Sequence, residues 1–494
     1  MTLADERLRE LDNPSLTETE RVTLRCSVAA DLTQKGQYEA AREALGGLWT
    51  GIGERPEVTN LPPAVAAEVL LRCGALSGLL GAARGVAGAQ DRAKDLLSEA
   101  VREFRSQGLG RKAAEAQGEL GACYWRLGAH DEARLVLAEA LKGLTDADAE
   151  LKARVHIRRA IVEQCDNKFY DALNILREAE PVFASADDAL KGKWHGEMAM
   201  VLDMLATMER NAARFDSAVI EYTAAVYHFE RARHERYAAT NLNNLAMLLR
   251  KLGRYHDAHE NLDRAGAVLR KLNDAALLAQ VDETRARVFL AEKKYREARR
   301  VIDRAVETLE RGGASALLAD ALTVQGVTRA RLGDYESSLG ILRRAADVAE
   351  GGGALANAGL ATLALIEEHG AGRLLTVGEV YKAYRRADRL LRDTQDADDV
   401  ARLRSCARIV MRRLAGVQPH DKTYSFFSAV HEFEAKIIEQ ALDEAGGSVT
   451  RAAKLLGLTH QTLGTILSQR HKQLSMKRTP RTKRLRSIIK EPKK

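Results

Sequence analysis

The side chains best suited to chemistry in this sequence crowd towards its C-terminal end. The stretch GGSVTRAAKLLGLTHQTLG (446–464) and the residues just after it hold Thr450, Arg451, Lys454, Thr459, His460, Gln461, Thr462 and Thr465, followed by Arg470, Lys472, Lys477 and Arg478. These are hydrogen-bonding and charge-pairing groups, and no nucleophile with its own base and acid stands among them. Residues 470–494 contain eleven Lys or Arg against the single acid Glu491, a local net charge of +10; with +7 overall, residues 1–469 carry about −3. Positive charge is therefore a property of one end, and a basic arm beside a compact motif attracts polyanions.

Other spacings that hint at reactive sites each lack a required partner. In HEFEAK, a zinc-binding His-Glu-x-x-His helix would need its second histidine where Ala435 stands, so His431 reads as a helix-surface side chain. GLGRKAAE around Gly108 and GGGALANAG around Gly351 lack the Gly-Lys-Ser/Thr ending or the preceding strand of a phosphate loop. His256 and His259, at i and i+3, fit a solvated turn better than a metal site. Cys26, Cys73, Cys123, Cys165 and Cys406 form no CxxC pair and are expected to be buried small hydrophobes. No catalytic residue, metal site or cofactor is expected, and the chain reads as a protein that is not an enzyme.

The elements that must position the C-terminal groups are helical. FSAVHEFEAKIIEQALDEA spaces Val430, Phe433, Ile437, Ile438, Ala441 and Leu442 on one helix face, and Gly446 with Gly447 stops it. Ser448 suits the N-cap of a short second helix carrying Ala452, Ala453, Leu455 and Leu456; Gly457 breaks that helix, and Leu458 is expected to plug the turn. Thr459 then caps a third helix running from His460 to about Arg470. Two short helices separated by Gly457–Thr459, one bearing adjacent small residues, have the spacing of a helix-turn-helix.

This stretch resembles the Fis-type DNA-binding domain found at the C-termini of bacterial enhancer-binding regulators. Gly446, Gly447, Thr450, Ala452, Ala453, Leu456, Gly457, Leu458, Thr459, Thr462 and Leu463 match that family's phrase. The resemblance implies that Thr450 and Thr462 touch phosphates, that His460, Gln461 and Thr465 face bases, and that Arg451 and Lys454 flank the backbone. Gln461 is the foremost choice for direct readout, since a glutamine amide pairs bidentately with adenine. The chain departs from the family at Gly464, Thr465 and Ile466, where an aromatic and two basic residues are common; Arg470, Lys472, Lys477 and Arg478 would supply the charge from the flank. No ATPase or receiver module precedes the motif, so an enhancer-binding mechanism is not implied.

The rest of the 494-residue chain is 46% apolar and 29% charged, with 8 prolines and 5% aromatics among abundant Ala, Leu, Glu and Arg, which predicts an all-α fold. A phrase recurs as KGQYEAA, LGAHDEA, NKFYDAL, ARFDSAV, LGRYHDA, KKYREAR and LGDYESS, ending at Ala41, Ala133, Ala172, Ala218, Ala258, Ala298 and Ser338. A second small residue follows seven positions later at Ala140, Ala179, Ala225, Ala265, Ala305 and Ala345, with Ala93 and Ala100 as another such pair. Seven residues are two helical turns, so both lie on one stripe that a neighbouring helix can approach.

With Gly121, Ala246 and Gly326 in the first helices and Gly253 and Tyr255 in a turn, the pattern resembles the tetratricopeptide repeat, lengthened to about forty residues. It implies a right-handed solenoid of eight or nine hairpins over residues 25–415, after an N-terminal segment 1–24. A linker at 416–425, the helix-turn-helix domain at 426–474 and a basic tail at 475–494 follow. On the inner stripe Asn243, Met247 and Arg250, with Asp203, Arg210, Glu283 and Arg287 at equivalent places, are expected to grip an extended peptide. The opening MTLADERLRE is no secretory signal and no uncharged run long enough to span a bilayer is evident, so a cytoplasmic protein without membrane partners is expected. The expected partners are double-stranded DNA and a protein or peptide, with homodimerisation to match paired half-sites. The alternative is an interaction scaffold whose helix-turn-helix does not bind DNA.

Overall fold

The computed structural model describes residues 15–415 and 426–477, apart from 313, 314, 373, 393 and 395. The start of the N-terminal segment, the linker 416–425, and Arg478 with the rest of the tail beyond it lie outside the described residues. The chain falls into two units. The first runs to Leu365 and includes Ala387–Ala401; the second comprises Ile366–Arg386 and the residues from Arg402 onward.

The first unit is a succession of helical hairpins. They are α1 (Glu18–Gln34) with α2 (Tyr38–Leu45), α3 (Pro63–Arg84) with α4 (Ala89–Ser106), α5 (Gly110–Arg126) with α6 (His130–Lys142), and α7 (Ala149–Cys165) with α8 (Phe169–Glu178). After the short α9 (Glu180–Ala184) come α10 (Asp188–Glu209) with α11 (Ala212–Arg231), α12 (Glu235–Lys251) with α13 (Tyr255–Lys271), α14 (Ala275–Ala291) with α15 (Tyr295–Gly312), and α16 (Ser315–Arg331) with α17 (Tyr335–Gly351). Helices α18 (Leu355–His369), α19 (Val377–Leu390) and α20 (Ala397–Ala415) carry the chain to Ala415. Three more, α21 (Phe426–Glu444), α22 (Val449–Leu455) and α23 (His460–Gln469), precede a 3-10 turn at Lys472–Lys477. No strand occurs among the described residues. The protein is an all-α chain, a helical-hairpin array of tetratricopeptide type with a helix-turn-helix at its C-terminal end.

The small-residue stripe explains how the hairpins close. Ala41, Ala133, Ala172, Ala218, Ala258, Ala298 and Ser338 are all 0% exposed, and their partners seven residues on are as fully enclosed. Short side chains let paired axes approach, and several glycines in the first helices stand against the facing helix, Gly121 and Gly326 among them. A Cβ on Gly121 would stand 2.6 Å from Leu137 and one on Gly326 would stand 2.6 Å from Leu342. The forty-residue beat is visible in the backbone as well: Gly253, Lys293 and Gly333 all turn with positive φ (72°, 62° and 86°), so each hairpin bends at the same register.

First helices of successive hairpins also touch one another, as α3 does α5, α5 does α7, α12 does α14 and α14 does α16. They form the inner layer of the array. Around the first six hairpins this layer curls far enough to bring α2 to α12, where the hydroxyls of Tyr38 and Tyr237 lie 3.2 Å apart across 199 residues.

Helix α3 is long and apolar enough over Pro63–Ala82 to cross a membrane by length and composition, but it is not an uncharged run, and most of that window is buried inside the array. It carries the half-buried pair Glu68–Arg72, which also engages Glu115 of α5, so its apolar faces serve α4, α1 and α5. Cys26, Cys73, Cys123 and Cys406 are buried as expected, whereas Cys165, the last residue of α7, is exposed.

Candidate nucleic-acid interface and inner cavity

Helix α21 ends because Gly446 and Gly447 both adopt positive φ (58° and 76°), and the Gly447 amide donates back to the Leu442 carbonyl at 2.8 Å. Only glycine takes two such steps in succession without strain. Ser448 stands at the N-cap of α22 but its side chain makes no capping bond. Gly457 (φ 66°) turns the chain out of α22, and the Leu458 amide closes the turn on the Ala453 carbonyl at 2.8 Å. Thr459 then caps α23, accepting from the Thr462 amide at 3.1 Å. Ile438, Ala441, Leu442, Ala445, Ala452, Ala453, Leu463, Leu467 and Leu474 form the core that clamps the three helices. Leu455 (57%) and Leu458 (37%) face outward, so the turn is held by its backbone bonds rather than by Leu458 as a plug.

Around this core the polar residues of α22 and α23 are presented to solvent. Thr450, Arg451, Lys454, Thr459, His460, Gln461, Thr462, Thr465, Arg470 and Lys472 are all exposed. His460 and Gln461 are the first two residues of α23, the position from which side chains reach base edges when such a helix enters a major groove. Thr459 and Thr462 share a hydroxyl contact of 2.8 Å, so both help define the helix start, and the Thr465 hydroxyl donates to the Gln461 carbonyl at 3.0 Å. Arg470 is partly committed, its guanidinium 3.3 Å from Glu434. Lys477 closes the 3-10 turn. Helix α23 continues through Gly464 to Gln469 despite the entropic cost of glycine in a helix interior.

Residues 429–465 match the family model described as "Bacterial regulatory protein, Fis family". The C-terminal motif is a Fis-type helix-turn-helix. The Fis-type match ends at Thr465, inside α23, so the basic residues from Arg470 onward lie outside it. Among curated protein sequences none matches the chain. Solved structures similar to it include a Rap protein complexed with competence and sporulation factor, 16% identical, covering 72% of this chain and 98% of its own, with a TM-score of 0.49. The apo quorum sensor NprR from B. thuringiensis is 15% identical, covers 70% and 92%, and has a TM-score of 0.46. Yeast Tom70 is 13% identical, covers 84% and 86%, and has a TM-score of 0.45.

The inner layer of the hairpin array borders a half-open cavity of about 550 Å³, lined mainly from α1, α3, α5, α7, α10 and α12, with Tyr38 of α2 and Phe229 of α11. Most cations on its wall are matched: Arg72 by Glu68 and Glu115, Arg154 by Glu150, and Arg158 by Glu119. Arg126 and Lys193 are not. Arg126 lies 4.9 Å from the Trp125 ring centre and Lys193 5.3 Å from that of Tyr237, and neither has a carboxylate within ion-pair distance among the described residues. Burial, and then the charges of Arg154 and Arg158, push the Lys193 ammonium down to about 8; burial raises the nearby Glu197 carboxyl.

The groove residues read from the sequence lie elsewhere. Asp203, Met247, Arg250, Glu283 and Arg287 stand on successive first helices α10, α12 and α14, outside the cavity wall. There Asp203 pairs with Lys251 at 2.9 Å and Glu283 with Arg287. Asn243 is buried (5%), and the α12 residues that face the cavity are Tyr237, Thr240, Asn241 and Asn244, one step away in register. Arg210 is set apart as the exposed, positive-φ C-cap of α10. Arg126 and Lys193 escaped the sequence reading because nothing local distinguishes an unmatched arginine or lysine from a paired one.

Proposed function

We propose that the chain is a cytoplasmic transcription regulator in which the Fis-type helix-turn-helix binds duplex DNA sequence-specifically and the hairpin array binds a protein or peptide partner. The observation that carries the DNA reading is the exposure of His460 and Gln461 at the start of α23, held by the Gly457 bend over a closed apolar core. Thr450, Arg451 and Lys454 on α22 then meet phosphates, while Gln461, His460 and Thr465 meet bases. A homodimer would present two such helices to paired half-sites. Titrating the full-length protein against labelled duplexes at two salt concentrations tests this reading, and no retention of any duplex at low salt would sink it.

The partner reading is supported by the cavity. Two half-buried cations without counter-ions, Arg126 and Lys193, beside aromatic rings suit a ligand that brings a carboxylate and an apolar side chain, such as an acidic or C-terminal peptide segment. The inner-stripe set of Asp203, Arg210, Asn243, Met247, Arg250, Glu283 and Arg287 is the competing contact surface for such a partner. Losing capture on substitution of Arg126 and Lys193, but not of Arg250 and Arg287, would decide for the cavity. The scaffold reading without DNA binding draws on one observation: no Lys or Arg occurs between His460 and Gln469 in α23.

A further inference from the structure

Helix α21 carries His431 and Glu434 three residues apart, which places them one turn apart on one face. The fold brings His471, two residues beyond α23, against that face. The imidazole rings of His431 and His471 stack with centres 4.2 Å apart, and Glu434 Oε2 lies 3.0 Å from His471 Nε2. One donor atom from each of the three residues falls within 4.8 Å of the other two. The His471 side chain is wholly buried, and its Nδ1 has no hydrogen-bond partner. Because Glu434 faces Nε2, it is that nitrogen, and not Nδ1, that an ion between the two side chains would engage.

Two imidazoles and one carboxylate are the donor set of a zinc site that keeps one position for water. We propose that His431, Glu434 and His471 bind a divalent metal ion of the zinc class. With metal–ligand bonds of about 2.0–2.2 Å, donor atoms of a tetrahedral site stand roughly 3.3 Å apart. The Glu434–His471 pair is already near that separation, and the ion takes the place of the proton shared between them. His431 is exposed, and to reach the ion it leaves its stack on His471 and turns a ring nitrogen inward. Glu434 Oε1 keeps Arg470 at 3.3 Å, an outer partner that orients the carboxylate. The missing second histidine of HEFEAK is thus replaced from across the domain. The ion would tie α21 to the residue that follows the recognition helix. This inference is independent of whether that helix binds DNA.

The test uses the full-length chain, stripped with a chelator and titrated with Co2+ while its visible absorption is followed, then back-titrated with Zn2+. The expected result is an intense tetrahedral-type Co2+ spectrum, bleached by Zn2+, and a thermal midpoint raised by Zn2+. Both signatures should vanish in His431→Ala and in Glu434→Gln, with metal affinity at least about 100-fold weaker, since losing even an outer-shell partner costs about 10–100-fold. His256→Ala, which alters an exposed histidine on α13, should behave as the parent does. Retention of the spectrum in His431→Ala, or a faint octahedral-type spectrum in the parent chain, would overturn the proposal and leave the trio as a hydrogen-bonded pair with a stacked ring. His431 is exposed, so its replacement leaves the fold intact and either result is interpretable.

Discussion

Single residues decide what each surface can do. Gln461 and Lys454 are both exposed and uncommitted to the core, yet they should fail differently when replaced. Gln461→Ala is expected to cost about 1–3 kcal/mol against the preferred site and to relax selectivity at one base pair. Lys454→Ala should weaken all duplexes alike and lower the slope of log K against log salt by about one. Competition binding with single-base variants separates the two outcomes. In the cavity, Lys193 titrates near pH 8 when folded and at about 10.4 when unfolded. Between those values the native chain holds fewer protons, so stability rises with pH across that window. Below about pH 8 the unmatched ammonium is a standing penalty. Lys193→Met should therefore raise the thermal midpoint at pH 7, with the advantage shrinking as the pH approaches 10, and identical midpoints at pH 7 would contradict this account.

At the scale of elements, the hairpins are governed by how closely two helices approach. Gly326 in α16 and Gly340 in α17 belong to one hairpin but to opposite environments. A methyl on Gly326 would collide with Leu342, so Gly326→Ala should destabilise by about 1–3 kcal/mol through overpacking. Nothing lies within 4 Å of a Cβ on Gly340, and Gly340→Ala should stabilise by about 0.5–1 kcal/mol by lowering the entropy of the unfolded chain. Urea unfolding of the pair checks the opposite signs. In the helix-turn-helix, Leu463 and Leu467 are the core residues of α23, and truncating either to Ala should cost about 2–5 kcal/mol and abolish DNA binding without touching an exposed group.

The molecule as a whole separates its charge from its bulk. Residues 478–494 hold eight Lys or Arg against one Glu, beyond the helix-turn-helix core. Removing them should flatten the salt dependence of DNA affinity while leaving the rank order of sites unchanged, because phosphate contacts position a protein and base contacts specify the site. A truncated chain with an altered site preference would assign the tail a reading role instead. The hairpin array has mostly nearest-neighbour contacts, so its stability accumulates repeat by repeat. The Tyr38–Tyr237 contact departs from that pattern, since it links hairpins five steps apart beside the cavity.

What was legible in the sequence alone follows from short-range periodicity. Alanines two turns apart must lie on one helix stripe whatever the rest of the chain does, and they proved to be the enclosed seams of the hairpins. Glycines at 446, 447 and 457 with Thr459 behind them dictate a bend and a helix start by local sterics and capping, so the exposed face of α23 could be named residue by residue. Tertiary structure alone decided which face of each inner helix looks into a cavity, because a one-residue step rotates a side chain by about 100°. That step is why Asn244 lines the wall and its neighbour Asn243 does not. It alone also decided which cations go unmatched and that His471 meets His431 across forty residues, since through-space pairing depends on how the layers close rather than on what stands next in the chain.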